Sequence, residues 1–117
     1  MSVDDHDKLL ALTSHLSHVL AFALVSDLSR NPRHQELFEL AAGGFYDFTR
    51  IASSDAVMWR DICMTNSGPI LDAVEGFQGR LEELAQAIAA KDGAALEAWF
   101  RSAKAARDQG LEKKRLR

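Results

Sequence analysis

The sequence predicts an all-α fold of about five helices, opened by a long one, with no Rossmann-type sheet. Two observations carry that expectation. Apolar residues recur at three- and four-residue intervals almost from end to end, the periodicity of a helix face. No segment pairs a two-residue alternation with β-branched enrichment, as a half-buried strand would. Composition agrees: of 117 residues, 47% are hydrophobic and 26% charged, as in an ordinary globular chain. Two prolines and seven glycines are too few for disorder or for a many-turned β-sandwich. The length suits one domain over residues 1–117, large enough to bury about two-thirds of its unfolded surface.

The first helix is expected over His6 to Leu28, with Leu9, Leu12, Leu16, Val19 and Leu20 at helical spacing. Asp4 or Asp5 is its expected cap. Ser29-Arg30-Asn31-Pro32 ends it, since proline disfavours helix at the residue before it. Arg33 to Ala42 is a shorter helix carrying Leu37, Phe38 and Leu40, with Gly43-Gly44 as its stop. Phe45 to Ser53 is aromatic and resists assignment. Ser53 or Ser54 is the expected cap of a helix over Asp55 to Met64. Asn66-Ser67-Gly68-Pro69 punctuates, and Pro69 suits the first turn of a helix running on from Ile70 to Ala90. Leu71, Val74, Phe77, Leu81, Leu84 and Ile88 form its apolar stripe. After Lys91-Asp92-Gly93, an Ala-rich helix from Ala94 to about Lys113 closes the chain, with Leu96, Trp99 and Phe100 on one face. Met58, Met64, Phe77, Trp99 and Cys63 are expected in the core. Stripes this long on so small a chain suggest that apolar surface is shared between subunits.

Charge excludes some functions. Residues 1–100 carry seven Lys+Arg against fifteen Asp+Glu, and residues 101–117 carry seven against two. A net acidic body argues against nucleic acid as a partner. The basic tail suits the C-terminal end of a helix, where cations favour the dipole. The longest uninterrupted apolar run, Val19 to Val25, is seven residues against the roughly 20 of a membrane span. Asp4, Asp5 and Asp7 stand where a signal peptide would be basic. A single cysteine, Cys63, excludes an internal disulfide and fits a reducing, cytoplasmic setting.

Two clusters stand out as chemistry. On a straight first helix Asp7, Ser14 and His18 fall within roughly 40° of one another, with His15 about 60° further round. Such a stripe faces either solvent or a pocket. A metal site at His15 and His18, with Asp7 or His6, is the weaker alternative, since three-residue histidine spacing is unspecific. The second cluster is Gly43-Gly44-Phe45-Tyr46-Asp47-Phe48-Thr49-Arg50. Its glycines would let backbone approach a ligand. Arg50, three residues after Asp47, could pair with it in a helical turn or present a fork to a carboxylate. Trp59 suits core more often than ligand contact, as a lone Trp does. No strand followed by a glycine-rich turn and no P-loop is visible, so no nucleotide site is expected.

The order and gaps of His6-Asp7, Thr13-Ser14-His15-Leu16-Ser17-His18, Gly44 through Ala52, Met58-Trp59-Arg60-Asp61-Ile62 and Asn66 closely resemble the C-terminal helical domain of prephenate and arogenate dehydrogenases. The resemblance covers His6 to about Leu84. Ser17 stands where that family usually has proline. The resemblance implies an oxidoreductase that oxidatively decarboxylates prephenate or arogenate in tyrosine biosynthesis, passing hydride to NAD or NADP. It implies that a preceding Rossmann domain supplies the nucleotide site and the catalytic histidine, and that the helical domain forms a homodimer and closes the substrate cleft. By position, Arg50 would hold a substrate carboxylate and Asp47 would orient Arg50. Ser14, His15 and His18 would line the pocket, and Gly43 would offer backbone contact. Trp59 would enter the neighbouring subunit's site, with His6 nearby. No catalytic, cofactor or metal residue is expected in this chain, which alone should not turn over substrate. Histidine titrates near neutral pH, so pH-dependent inhibition by tyrosine through His18 is expected; an unchanged pH profile in His18→Asn would remove that idea. A stand-alone ligand-sensing module, or a purely structural dimerisation module, would look the same over these residues.

Overall fold

The computed structural model describes Met1 to Leu116. Six helices and no strand make up the described residues. The first, α1, runs Val3–Ser29. Its cap is Ser2, whose hydroxyl accepts from the Asp5 amide at 3.1 Å. Asp4 and Asp5 instead lie in the first turn, where carboxylates favour the helix dipole. Helices α2 (His34–Leu40) and α3 (Gly43–Thr49) follow, and α3 tightens into a 3-10 turn at Arg50–Ser53. Then come α4 (Ala56–Thr65), α5 (Ser67–Ala89) and α6 (Gly93–Arg115).

Two local expectations are corrected, and the last break is given its geometry. Gly43-Gly44 does not stop α2; Ala41 and Ala42 do so by turning extended, and Gly43 opens α3. The region that resisted assignment is therefore helix plus 3-10 turn. Asp55, not a serine, caps α4, accepting from the Val57 amide at 3.1 Å. The Lys91-Asp92-Gly93 break is a Schellman closure. The Asp92 amide bonds the Ala87 carbonyl at 3.0 Å and the Lys91 amide bonds that of Ile88 at 3.0 Å. Lys91 takes the left-handed conformation with φ 53°, while Gly93 is already helical. Asp92 then caps α6 through the Ala95 amide.

Helix α1 is continuous but not uniform. Ala11–His15 forms a π turn, one residue wider than the α-helical turn. Side chains bond carbonyls around it: Thr13 Oγ1 donates to Leu9 at 2.8 Å and Ser17 Oγ to Ser14 at 2.9 Å. Such back-bonds compete with the regular ladder. The wider turn shifts helical phase, so Asp7 does not line up with Ser14 and His18 as a straight helix would have it.

The chain forms two compact units, Met1–Glu75 and Gly76 onward. The core of the first is small. Ala11 and Ala21 of α1 are fully buried, and Trp59, Ile70 and Ala73 nearly so. Alanines on α1 let neighbouring backbone come close, and α1 packs against α2, α3 and the 3-10 turn. Met58 and Met64 are exposed, contrary to the core expectation. Phe77 and Trp99 are half-buried. Cys63 is half-buried beside Trp59. The second unit comprises the end of α5 and α6, with exposed ion pairs Arg80–Glu83, Arg101–Glu97 and Lys104–Asp108. Lys113, Lys114 and Arg115 fill its last helical turn, as the dipole favours. By length and composition α1 could cross a membrane, a weak signal that apolar core helices share.

Candidate functional site

The first cluster assembles on Trp59. Capping by Asp55 starts α4 at Ala56, and one turn later Trp59 faces α1. Its indole stacks on the His18 ring with centroids 4.0 Å apart and planes 19° apart. His15 meets the indole edge-on at 5.9 Å and 79°. His18 Nδ1 lies 3.0 Å from the Ser14 carbonyl oxygen, and His15 Nδ1 lies 3.3 Å from Asn66 Nδ2. Ser14, His15 and His18, expected to line one pocket, are thus brought together with Trp59, whose expected place is instead the neighbouring subunit's site. Trp59 Nε1 is buried without a partner, a costly state for a donor. Trp59 is 8% exposed, packed on the histidines of its own chain. Beside it, a cleft of about 320 Å³ is walled by Val19, Phe22, Ala56, Trp59, Arg60 and Cys63. His6 stands apart, 3.9 Å from the Asp7 carboxylate.

The second cluster lies on α3 and its 3-10 extension. Thr49 is buried and donates to the Phe45 carbonyl at 2.8 Å. Tyr46 Oη donates to the Phe38 carbonyl at 2.7 Å, tying α3 to α2. Phe45 sits 6.0 Å from Phe38 and 5.2 Å from Tyr46. These contacts set the 3-10 turn that begins at Arg50. Arg50 forms one rim of a hollow of about 190 Å³ lined also by Val25, Phe38, Phe45, Tyr46 and Ser53. That is small beside the roughly 300–1,000 Å³ of a small-molecule pocket.

The expected Asp47–Arg50 pair is absent: among the described residues no ion pair or hydrogen bond joins them. Helix α3 passes at Thr49 into the 3-10 turn that begins at Arg50. Both side chains are exposed. Gly43 and Gly44 have no positive φ, and a Cβ at either would meet open space. Nothing in the chain itself therefore requires glycine there. Among the described residues no group of three His, Cys, Asp or Glu side chains could hold a metal. His15 and His18 take different partners instead. Asn66 is the residue that sequence reasoning left without a role. Its signal was position: a lone amide in the link between two helices.

Comparisons with known proteins add a family. The profile described as "Prephenate dehydrogenase, dimerization domain" matches residues 2–102. The chain is 38% identical over 109 residues to cyclohexadienyl dehydrogenase of Zymomonas mobilis, covering 92% of this chain and 37% of that protein. It is 36% identical over 113 residues to prephenate dehydrogenase of Lactococcus lactis, covering 96% of this chain and 32% of the relative. The chain therefore spans about a third of these relatives. Among solved structures, prephenate dehydrogenase from Aquifex aeolicus with hydroxyphenyl propionate and NAD+ superimposes with a TM-score of 0.86 at 40% identity, over 93% of this chain and 38% of that one. Synechocystis arogenate dehydrogenase superimposes at 0.87 with 20% identity, over 93% and 40%, a likeness of fold.

Proposed function

The chain belongs to the prephenate dehydrogenase dimerization-domain family, and from that premise we propose that it is the substrate-closing and dimerising part of an NAD(P)-dependent prephenate or arogenate dehydrogenase of tyrosine biosynthesis. The observation that carries the proposal is the Ser14–His15–His18–Trp59 cluster, assembled inside the matched region. Paired imidazoles on an indole face form a wall with polar edges, suited to an unsaturated ring carrying carboxylates. Arg50 is the cation proposed to hold a substrate carboxylate, and Gly43 a backbone contact. Among the described residues no carboxylate pairs with its guanidinium, which leaves it available for a bidentate ligand.

Among the described residues no strand leads into a glycine-rich helix start, the arrangement that holds a pyrophosphate in doubly wound folds. Hydride transfer is therefore assigned to a dinucleotide-binding domain outside this chain, and the chain's own share is binding and closure. A cytoplasmic setting follows from the proposed biosynthetic role. Homodimerisation is supported by apolar side chains that the chain leaves uncovered.

Titration of the complete enzyme with hydroxyphenyl propionate, followed by calorimetry, tests the proposal. Saturable binding that Arg50→Ala weakens about 10- to 100-fold would support it. No binding, or undiminished affinity in that variant, would leave a structural dimerisation module. Binding of tyrosine without turnover in the complete protein would favour a ligand sensor.

A further inference from the structure

Asn66 sits in the link between α4 and α5, and its backbone is held on both sides. Its N–H donates to the Ile62 carbonyl at 2.9 Å, and its own carbonyl accepts from the Ile70 amide at 3.1 Å. The side chain reaches to the π turn of α1. There Nδ2 lies 3.1 Å from the Asp7 carbonyl oxygen and 3.3 Å from His15 Nδ1. A carbonyl oxygen only accepts, so the Asn66 atom facing Asp7 is the NH2 nitrogen. That nitrogen carries a second proton, which His15 Nδ1 can meet only as an acceptor. His15 is then protonated at Nε2. His18 is set the other way: its Nδ1 faces the Ser14 carbonyl, so Nδ1 carries the proton and Nε2 of the neutral ring is bare.

We propose that Asn66 is a positioning residue that locks His15 as its Nε2–H tautomer, opposite to the tautomer that Ser14 imposes on His18. Two imidazoles against one indole thereby differ: His15 offers a neutral donor to a ligand oxygen, and His18 offers an acceptor. Because Asn66 also bonds the Asp7 carbonyl, one turn before the π turn and itself the acceptor of the Ala11 amide, it ties ring orientation to the backbone that leads into the turn carrying His15. That second-partner control of a histidine is general: the bond made by one ring nitrogen decides what the other presents. The use of the donor toward substrate rests on the function proposed above. The lock itself rests only on contacts within the chain.

The test is long-range ¹H–¹⁵N correlation on histidine-labelled protein, which reports the protonated ring nitrogen of each of the four histidines. His15→Gln and His18→Gln supply the assignments. Spectra are taken on wild type, Asn66→Asp and Asn66→Ala, in the complete protein and at a pH where the rings are neutral. The expected result is Nε2–H for His15 and Nδ1–H for His18 in wild type. Asn66→Asp, whose carboxylate can only accept, moves the His15 proton to Nδ1 and leaves His18 unchanged. Asn66→Ala leaves His15 a mixture of both forms. His15 found as Nδ1–H in wild type overturns the proposal, and so does a His15 proton that ignores Asn66→Asp in a folded protein. If the variants do not fold, the wild-type spectrum still decides. Hydroxyphenyl propionate added to the same samples separates the two ideas. A correct tautomer pair with no ligand binding would sink the function, whereas ligand binding with the wrong tautomer would sink the lock.

Discussion

At the scale of single residues, exposure and partners separate binding from stability. Arg50 is exposed and, among the described residues, without an ion-pair partner, so Arg50→Ala should change folding stability by no more than about 0.5 kcal/mol; a thermal melt checks this beside the loss of ligand affinity predicted above. Asp47→Asn should leave both nearly unchanged, because Asp47 does not hold Arg50 in this structure. A large loss of affinity in Asp47→Asn would mean that the pair forms on ligand binding. Trp59 is the opposite case. It is the largest buried side chain of its unit and the surface on which His18 stacks. Trp59→Ala should cost about 3–5 kcal/mol. Trp59→Phe keeps a ring under His18 and removes the unpartnered Nε1–H. Its midpoint in chemical denaturation should therefore lie much closer to wild type than that of the alanine variant.

At the scale of elements, helix ends show how far local chemistry reaches. Ser2, Asp55 and Asp92 each accept an amide of the following turn, and replacing any with alanine should cost about 1 kcal/mol. Lys91 holds a left-handed φ at the end of α5, where glycine carries no Cβ penalty. Lys91→Gly should raise stability by about 1 kcal/mol, read as a higher midpoint in denaturant; a lower one would mean that the Lys91 side chain contributes more than its backbone costs. The π turn of α1 lies beyond such local rules. Thr13 and Ser17 bond nearby carbonyls, but Asn66 is 51 residues from its partner His15, and no window of sequence spans that contact.

At the scale of the whole molecule, apolar surface dominates. Leu81 and Ile88 of α5, and Phe100 and Leu111 of α6, are each about half exposed. At roughly 25 cal/mol per Å², leaving such side chains in water is unfavourable, and a second copy is the occupant the family implies. Ile88→Glu combined with Phe100→Glu should shift the protein from dimer to monomer in sedimentation velocity. An unchanged dimer would place the interface on other faces. The fraction of this chain that is helical needs no partner to be explained, but its thin core does, since a dimer stabilises what each protomer cannot bury alone.

The sequence by itself determined the helical class, the long first helix, the breaks at Pro32 and Lys91 to Gly93, and the family resemblance. These follow from periodicity, proline geometry and residue order, all local or linear properties. It also grouped Ser14, His15 and His18 along one stretch of the first helix, with Trp59 expected at the neighbouring subunit's site. Only the tertiary structure decided how they meet. A straight-helix projection aligned the Asp7 carboxylate with the histidines, yet the π turn changes that phase, and the Asp7 carbonyl is what Asn66 bonds. Spacing allowed Asp47 and Arg50 to pair, yet among the described residues no ion pair joins them. Gly43-Gly44 read as a stop because glycine permits one, and permission is not obligation: Ala41 and Ala42 turned extended first. Met58 and Met64 read as core because their type favours burial, but burial depends on what packs opposite. Hydrogen bonds between distant residues, and the covering of one helix face by another, are set only when the chain has folded.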